Sequence, residues 1–169
     1  MAEQKVREVR YDVDGYEAVT NAILELVNKY PALDSEDEIT FSSLPEDKGK
    51  TFIPSSGAII QTEKESITGH VEQTCLYPFS VVFRSGSTSE DRKIYIKEWL
   101  DNLGKWLEKQ TISIDSTQYV LKQYPKLTGN RKFTGIERQT PAFLSNINEN
   151  KSEDWVINIT ARYRNEFDR

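Results

Sequence analysis

The chain has 169 residues, a net charge of −5 and a mean hydropathy of −0.64, with 29% charged, 37% hydrophobic and 11% aromatic residues. That length supports one domain with a core rather than two comfortable ones, and no apolar run approaches the roughly 20 residues of a membrane-spanning helix. The acidic balance disfavours tight gripping of phosphate backbones by counterion release, and a single cysteine, Cys75, with a single histidine, His70, leaves neither an internal disulfide nor a set of soft ligands for structural zinc.

One domain over 1–169 is expected, with 1–13 as a charged, partly flexible N-terminal arm. The opening MAEQKVREVRYDVDG lacks the apolar segment of a secretory signal, which points to a cytoplasmic protein. The first element is a helix over 14–30, where Tyr16, Val19, Ile23, Leu26, Val27 and Tyr30 form one stripe at helical spacing. Asp14 followed by Glu17 reads as a capping box, and Pro31 stops the helix. DSEDE (34–38) then reads as a solvated turn.

A short strand at 39–44, a polar loop at 45–57 and a second strand at 58–65 follow. The third strand is the clearest. In VEQTCLYPFSVVFRS, Val71, Cys75, Tyr77, Phe79, Val81 and Phe83 share one face, interrupted only by Gln73. Pro78 falls on the opposite parity and cannot donate to a ladder, so the strand is expected to lie at an edge or to bulge there. Ser87 and Glu90 read as a capping box for a helix over about 88–109, whose stripe of Ile96, Trp99, Leu100, Leu103, Trp106 and Leu107 needs an apolar sheet face to lie on. Residues 111–130 read as an irregular connection with a helical turn, 131–138 as a strand, 140–152 as a long polar loop and 154–165 as a last strand with Trp155, Ile157, Ile159, Ala161 and Tyr163 facing inward. The order α-β-β-β-α-β-β defines an α+β fold: a mostly antiparallel β-sheet with two main helices packed on one face.

Little of this sequence reads as chemistry. DKGKT (47–51) resembles the end of a phosphate-binding loop, but the glycine that motif needs is replaced by Leu44, and FIPSS cannot start the required helix. SGSTSE (85–90) reads as an ordinary capped helix start rather than an anion site. His70 has no evident nucleophile or orienting partner and reads as a surface residue, while Cys75 on the inward face reads as a buried, inert thiol. No catalytic, cofactor-binding or metal-binding residue is assigned, and the chain reads as a non-enzyme.

Taken in order, AVTNAILELVNKYPAL (18–33), YPFSVVFRSGSTSEDRKIYIKEWLDNLGKWLEKQ (77–110), YPKLTGNRKFTGIERQTPAFL (124–144) and EDWVINITARYR (153–164) resemble the tail-terminator proteins of long-tailed bacteriophages and prophages, a family also labelled minor capsid or tail-completion proteins. The resemblance implies a helix-backed sheet domain that forms a homo-hexameric ring. Such a ring caps the major tail tube protein, stops tube polymerisation and presents a joining surface to the head–tail connector or neck protein, while genomic DNA passes through its lumen without specific binding. It further implies a location in the virion, at the head-proximal end of the tail, after assembly in the host bacterial cytoplasm, and it brings no active site or cofactor. The polar loops 45–57 and 140–152 are the expected subunit or tube contacts. A neck or head-completion connector, and a small-molecule binding module or enzyme with a substrate-built site, stand as alternative readings.

Overall fold

The computed structural model describes residues 8–86 and 89–169. Helix α1 (Val13–Val27) precedes strands β1 (Ile39–Phe41), β2 (Gly49–Pro54), β3 (Ile59–Glu65) and β4 (His70–Ser85). Helix α2 (Glu90–Leu107) then leads to β5 (Ile112–Ile114), β6 (Thr117–Tyr119), β7 (Arg131–Arg138), β8 (Phe143–Ile147) and β9 (Glu153–Asp168). The fold is α+β, with seven strands in one mixed sheet of order β1-β2-β4-β9-β7, to which β3 adds on β4 and β8 on β9. Among the described residues, only the β1–β2 pair is parallel.

The centre of the sheet is an unbroken antiparallel ladder from His70↔Asp168 to Ser85↔Glu153. The alternation in the two sequences makes this ladder one-sided. Val71, Cys75, Tyr77, Phe79, Val81 and Phe83 of β4 are buried, as are Ile157, Ile159, Ala161 and Tyr163 of β9. Gln73, the polar residue in that row, is buried but satisfied, because it donates to Glu63 at 2.8 Å and accepts from Asn165 at 3.1 Å. Trp155 is only half-buried, at the open end of the β9 stripe.

Pro78 is not at an edge. β4 is an inner strand, and its partner opposite β9 changes from β3, which ends its pairing at Leu76↔Ile59, to β2, which begins at Phe79↔Pro54. The Pro78 carbonyl accepts from Ser55 N–H at 2.9 Å in this gap. A strand residue's N–H and C=O point to the same side, so the missing donor faces the hand-over between two neighbouring strands, where no ladder bond is lost.

Both helices lie on the buried face. The α2 stripe Ile96, Trp99, Leu100, Leu103, Trp106 and Leu107 is fully inside, and the helix reaches the sheet closely at Gly104, where an added Cβ would stand 3.0 Å from Ile157. Tyr30 joins the two helices: its ring meets Trp99 edge-on at 5.0 Å and its hydroxyl donates to the Trp99 carbonyl at 2.9 Å. Both helix starts differ from expectation. α1 is capped by Asp12, which accepts from Gly15 N–H at 3.0 Å, not by Asp14. α2 is capped by Ser89, which accepts from Arg92 N–H at 3.3 Å, while Ser87 lies outside the described residues. α1 also stops at Val27, ahead of Pro31, because Asn28 turns its amide to the Leu24 carbonyl and to both the N–H and C=O of Ile39. That side chain fills the outer edge of β1 and so blunts an exposed strand.

Three segments expected to be irregular contain strands. The loop 45–57 includes β2, an inner strand, and 140–152 includes β8. Residues 111–130 hold the β5–β6 hairpin in place of a helical turn; Asp115 (φ 49°) and Ser116 (φ 67°) adopt the two left-handed positions of a type I′ turn. Of the expected arm 1–13, residues 1–7 lie outside the described residues and residues 10–12 are held by the sheet. Ile60 N–H donates to Arg10 C=O at 2.8 Å and Asp12 N–H to Ala58 C=O at 2.7 Å, so residues 10–12 lie along the edge of β3.

Candidate interaction surface

The residues with potential chemistry are dispersed. Cys75 is fully buried, and burial pushes its thiol up to about 11, so it is held as a neutral small hydrophobe. In DKGKT, Lys50 pairs with Asp37 at 2.9 Å and lies over the Phe83 ring at 4.4 Å, and the segment continues as strand β2 rather than as a helix. Among the described residues, no group of three or more His, Cys, Asp or Glu gathers around a point that could hold a metal ion, and no helix is long and apolar enough to cross a membrane.

His70 does have an orienting carboxylate, which sequence reading missed because its partner lies 98 positions away. Its Nδ1 is 2.8 Å from Asp168 and its Nε2 3.8 Å from Glu166. Both ring nitrogens thus face carboxylates and no hydroxyl or thiol nucleophile. The Asp168 hydrogen bond, helped by the charges of Asp168, Glu166 and Glu72, raises the imidazole above its ordinary value. Protonated His70 therefore supports the fold below the unfolded value of about 6.5, and that support is lost as pH rises through the higher folded value. A proton NMR titration should place His70 above a free histidine, and Asp168→Asn should return it toward the ordinary value; equal titration of both proteins would show that the pair is not formed.

The two expected contact loops prove to be neighbours. Asn150 Nδ2 donates to the Glu46 carbonyl at 3.0 Å, so the tips at 45–48 and 148–152 form one rim at the end of the β4–β9 ladder. Beneath it, Arg84 Nε and Nη2 hold Asp154 at 2.7 and 2.9 Å, while Arg84 Nη1 donates to the Pro45 carbonyl at 3.1 Å. The hydrogen bonds from Arg84 hold the Asp154 carboxyl below the usual carboxylate range. The second tip is itself stiffened. Ser152, 2% exposed, donates its hydroxyl to Asn150 Oδ1 at 2.6 Å, and the Asn148 amide donates to the Ser152 hydroxyl at 2.9 Å. A rim pre-ordered in this way loses little conformational entropy when a partner settles on it.

Beside the rim, β8 is exposed along its whole length and displays Phe143, Leu144 and Ile147 at 40%, 37% and 62% exposure. It is a short outer strand on β9 with apolar side chains, the type of edge that pairs with another chain. Other edges are covered in part: β1 at Ile39 by Asn28, the start of β3 by residues 10–12, and β7 at Arg138, whose N–H donates to Glu108 at 3.3 Å. The rim tips and β8 are exposed, and an exposed strand edge with apolar side chains is a type of surface that suits binding of a macromolecule.

No protein-family model matches the chain, and a search of curated proteins returns no match.

Proposed function

We propose that the protein is a structural ring-former of a phage tail, a tail terminator that caps the tail tube and offers its other face to the head connector. The observation that carries this reading is the rim. Two loop tips, 100 or more residues apart in sequence, are hydrogen-bonded into one pre-ordered surface at the end of the longest ladder, next to the open strand β8. The four segments that resemble tail terminators support it, because they fall on α1, on β4 with α2, on β7 with the start of β8, and on β9, the elements that frame the core.

The test is to add the purified protein to polymerising tail tube protein and measure tube lengths by negative-stain electron microscopy. Capping should shorten the tubes and leave a ring at one end. Replacing 46–48 and 149–151 with glycine and serine should abolish capping while far-UV circular dichroism stays unchanged. Unaltered tube lengths with the wild-type protein would remove the tail-terminator reading. Binding to a connector ring without any effect on tubes would favour the neck-completion role instead.

A further inference from the structure

An exposed acidic turn and a groove lined by basic side chains lie toward opposite edges of the sheet. The turn before β1 exposes Asp34, Glu36, Asp37 and Glu38, and among the described residues only Asp37 of these has an ion-pair partner, Lys50. Glu46 and Asp47 lie exposed in the next loop, which leads into β2. At the other end of the order β1-β2-β4-β9-β7, the segment before β7 lies over a groove of about 540 Å³. Lys109, Lys126, Arg131 and Lys132 line it together with Tyr124 and Phe133, and no carboxylate does. Arg131 is engaged by Asp12 and Lys109 sits over the Tyr124 ring at 4.3 Å. Lys126 and Lys132 are exposed and have no carboxylate partner among the described residues. Strands spaced about 4.8 Å apart put the two edges roughly 19 Å apart across the sheet, which is beyond the screening length at physiological salt.

We infer that the basic groove beside β7 receives the acidic turn 34–38 of a second copy of this chain. This inference rests on the ring reading above and names the surfaces that would build the ring. Two different, complementary patches on opposite edges of one rigid domain make a head-to-tail contact, and such contacts close into rings or run into filaments rather than ending as two-fold dimers. The groove fits an acidic peptide segment better than nucleic acid, because the net charge of −5 and the acidic far edge repel a polyanion. Charge complementarity of this kind also sets register and suppresses the wrong pairings, acidic edge to acidic edge and basic to basic.

The experiment uses sedimentation velocity on the full chain at low and high salt, with circular dichroism to verify folding. Lys126→Glu/Lys132→Glu and Glu36→Lys/Glu38→Lys alter exposed side chains only, so both variants should fold as wild type does. Each should self-associate roughly tenfold or more weakly than wild type. Mixing the two should restore assembly, because each then offers the edge that the other lacks, and so should all four substitutions in one chain. If wild type assembles and both variants assemble equally well, the edge assignment is overturned while the ring reading stands. If wild type stays monomeric at every concentration tested and does not cap tubes, both are overturned. If assembly is unchanged but the lysine variant loses binding to a DNA oligonucleotide that wild type retains, the groove belongs to nucleic acid and the inference fails.

Discussion

Phe79→Asp is expected to leave the chain unfolded at 25 °C. Phe79 has no exposed surface; it stands opposite Ile159 in the central ladder, and its ring meets Phe52 edge-on at 5.2 Å. Truncation to alanine alone should cost about 3–5 kcal/mol through lost burial and the cavity left behind. Aspartate adds an ionised group in an apolar surrounding with no cation in reach, a further cost of several kcal/mol. The sum is comparable with the whole stability of an ordinary domain, about 5–15 kcal/mol. Urea unfolding followed by tryptophan fluorescence should therefore show a graded loss for Phe79→Ala and no folded baseline for Phe79→Asp. A wild-type melting curve for the aspartate variant would mean that β4 presents its other face to the helices. Trp155→Asp should be milder than the alternation alone suggests, because Trp155 is half-exposed.

The second large effect concerns Asp12 and Arg131. Asp12 is 7% exposed and receives Arg131 Nη2 at 2.8 Å and Nε at 2.9 Å, the Tyr163 hydroxyl at 2.6 Å and the Gly15 N–H at 3.0 Å. One carboxylate thus caps α1, ties it to β7 and β9, and anchors the segment that covers β3. Burial pushes the Asp12 carboxyl up, but the hydrogen bonds from Arg131 and Tyr163 and the guanidinium charge outweigh it, so the group lies below its ordinary range. A lowered carboxylate contributes stability that is present above the unfolded value near 3.9 and is lost as pH falls through the folded value. Arg131→Met should remove that contribution and strand a buried charge, at about 3 kcal/mol, the low end for a broken buried pair because the site is not wholly dry. With the cation gone, burial acts with only the remaining hydrogen bonds against it, and the carboxyl rises. The gap between variant and wild type, read from urea midpoints, should then be widest at neutral pH and narrow toward pH 4. Asp12→Asn/Arg131→Met should recover part of the loss, since no charge is left unpaired. A pH-independent gap, or a double variant worse than the sum of the two single ones, would mean that the pair does not carry this stability.

The α2 stripe and the β4 face were legible because burial on one side imposes a period on the sequence, of 3.6 or 2 residues, whatever the partner. Trp99, Leu103 and Trp106 needed no knowledge of what they pack on. Capping was less legible: Asp14 and Asp12 are both acceptable acidic residues before a helix, and Arg131, 119 positions away, decides between them. Strands β2 and β8 were hidden because neither alternates cleanly. β2 is mixed in burial along its length and β8 is exposed throughout, so their pairing comes from neighbours rather than from their own side chains. The same is true of the rim, whose hydrogen bond between Asn150 and Glu46 spans 104 residues.

Local pattern by itself determined the fold class, the two core-facing helices, the one-sided central ladder and the buried, inert state of Cys75, since each follows from which side chains leave water. Only the tertiary structure decided which loops meet, which sheet edge stays open, where the acidic and basic edges lie, and why a proline fits inside an inner strand. Those are matters of long-range register. No residue's own hydropathy or charge encodes a neighbour a hundred positions away, whereas every buried residue leaves its mark on the period of the strand or helix that carries it.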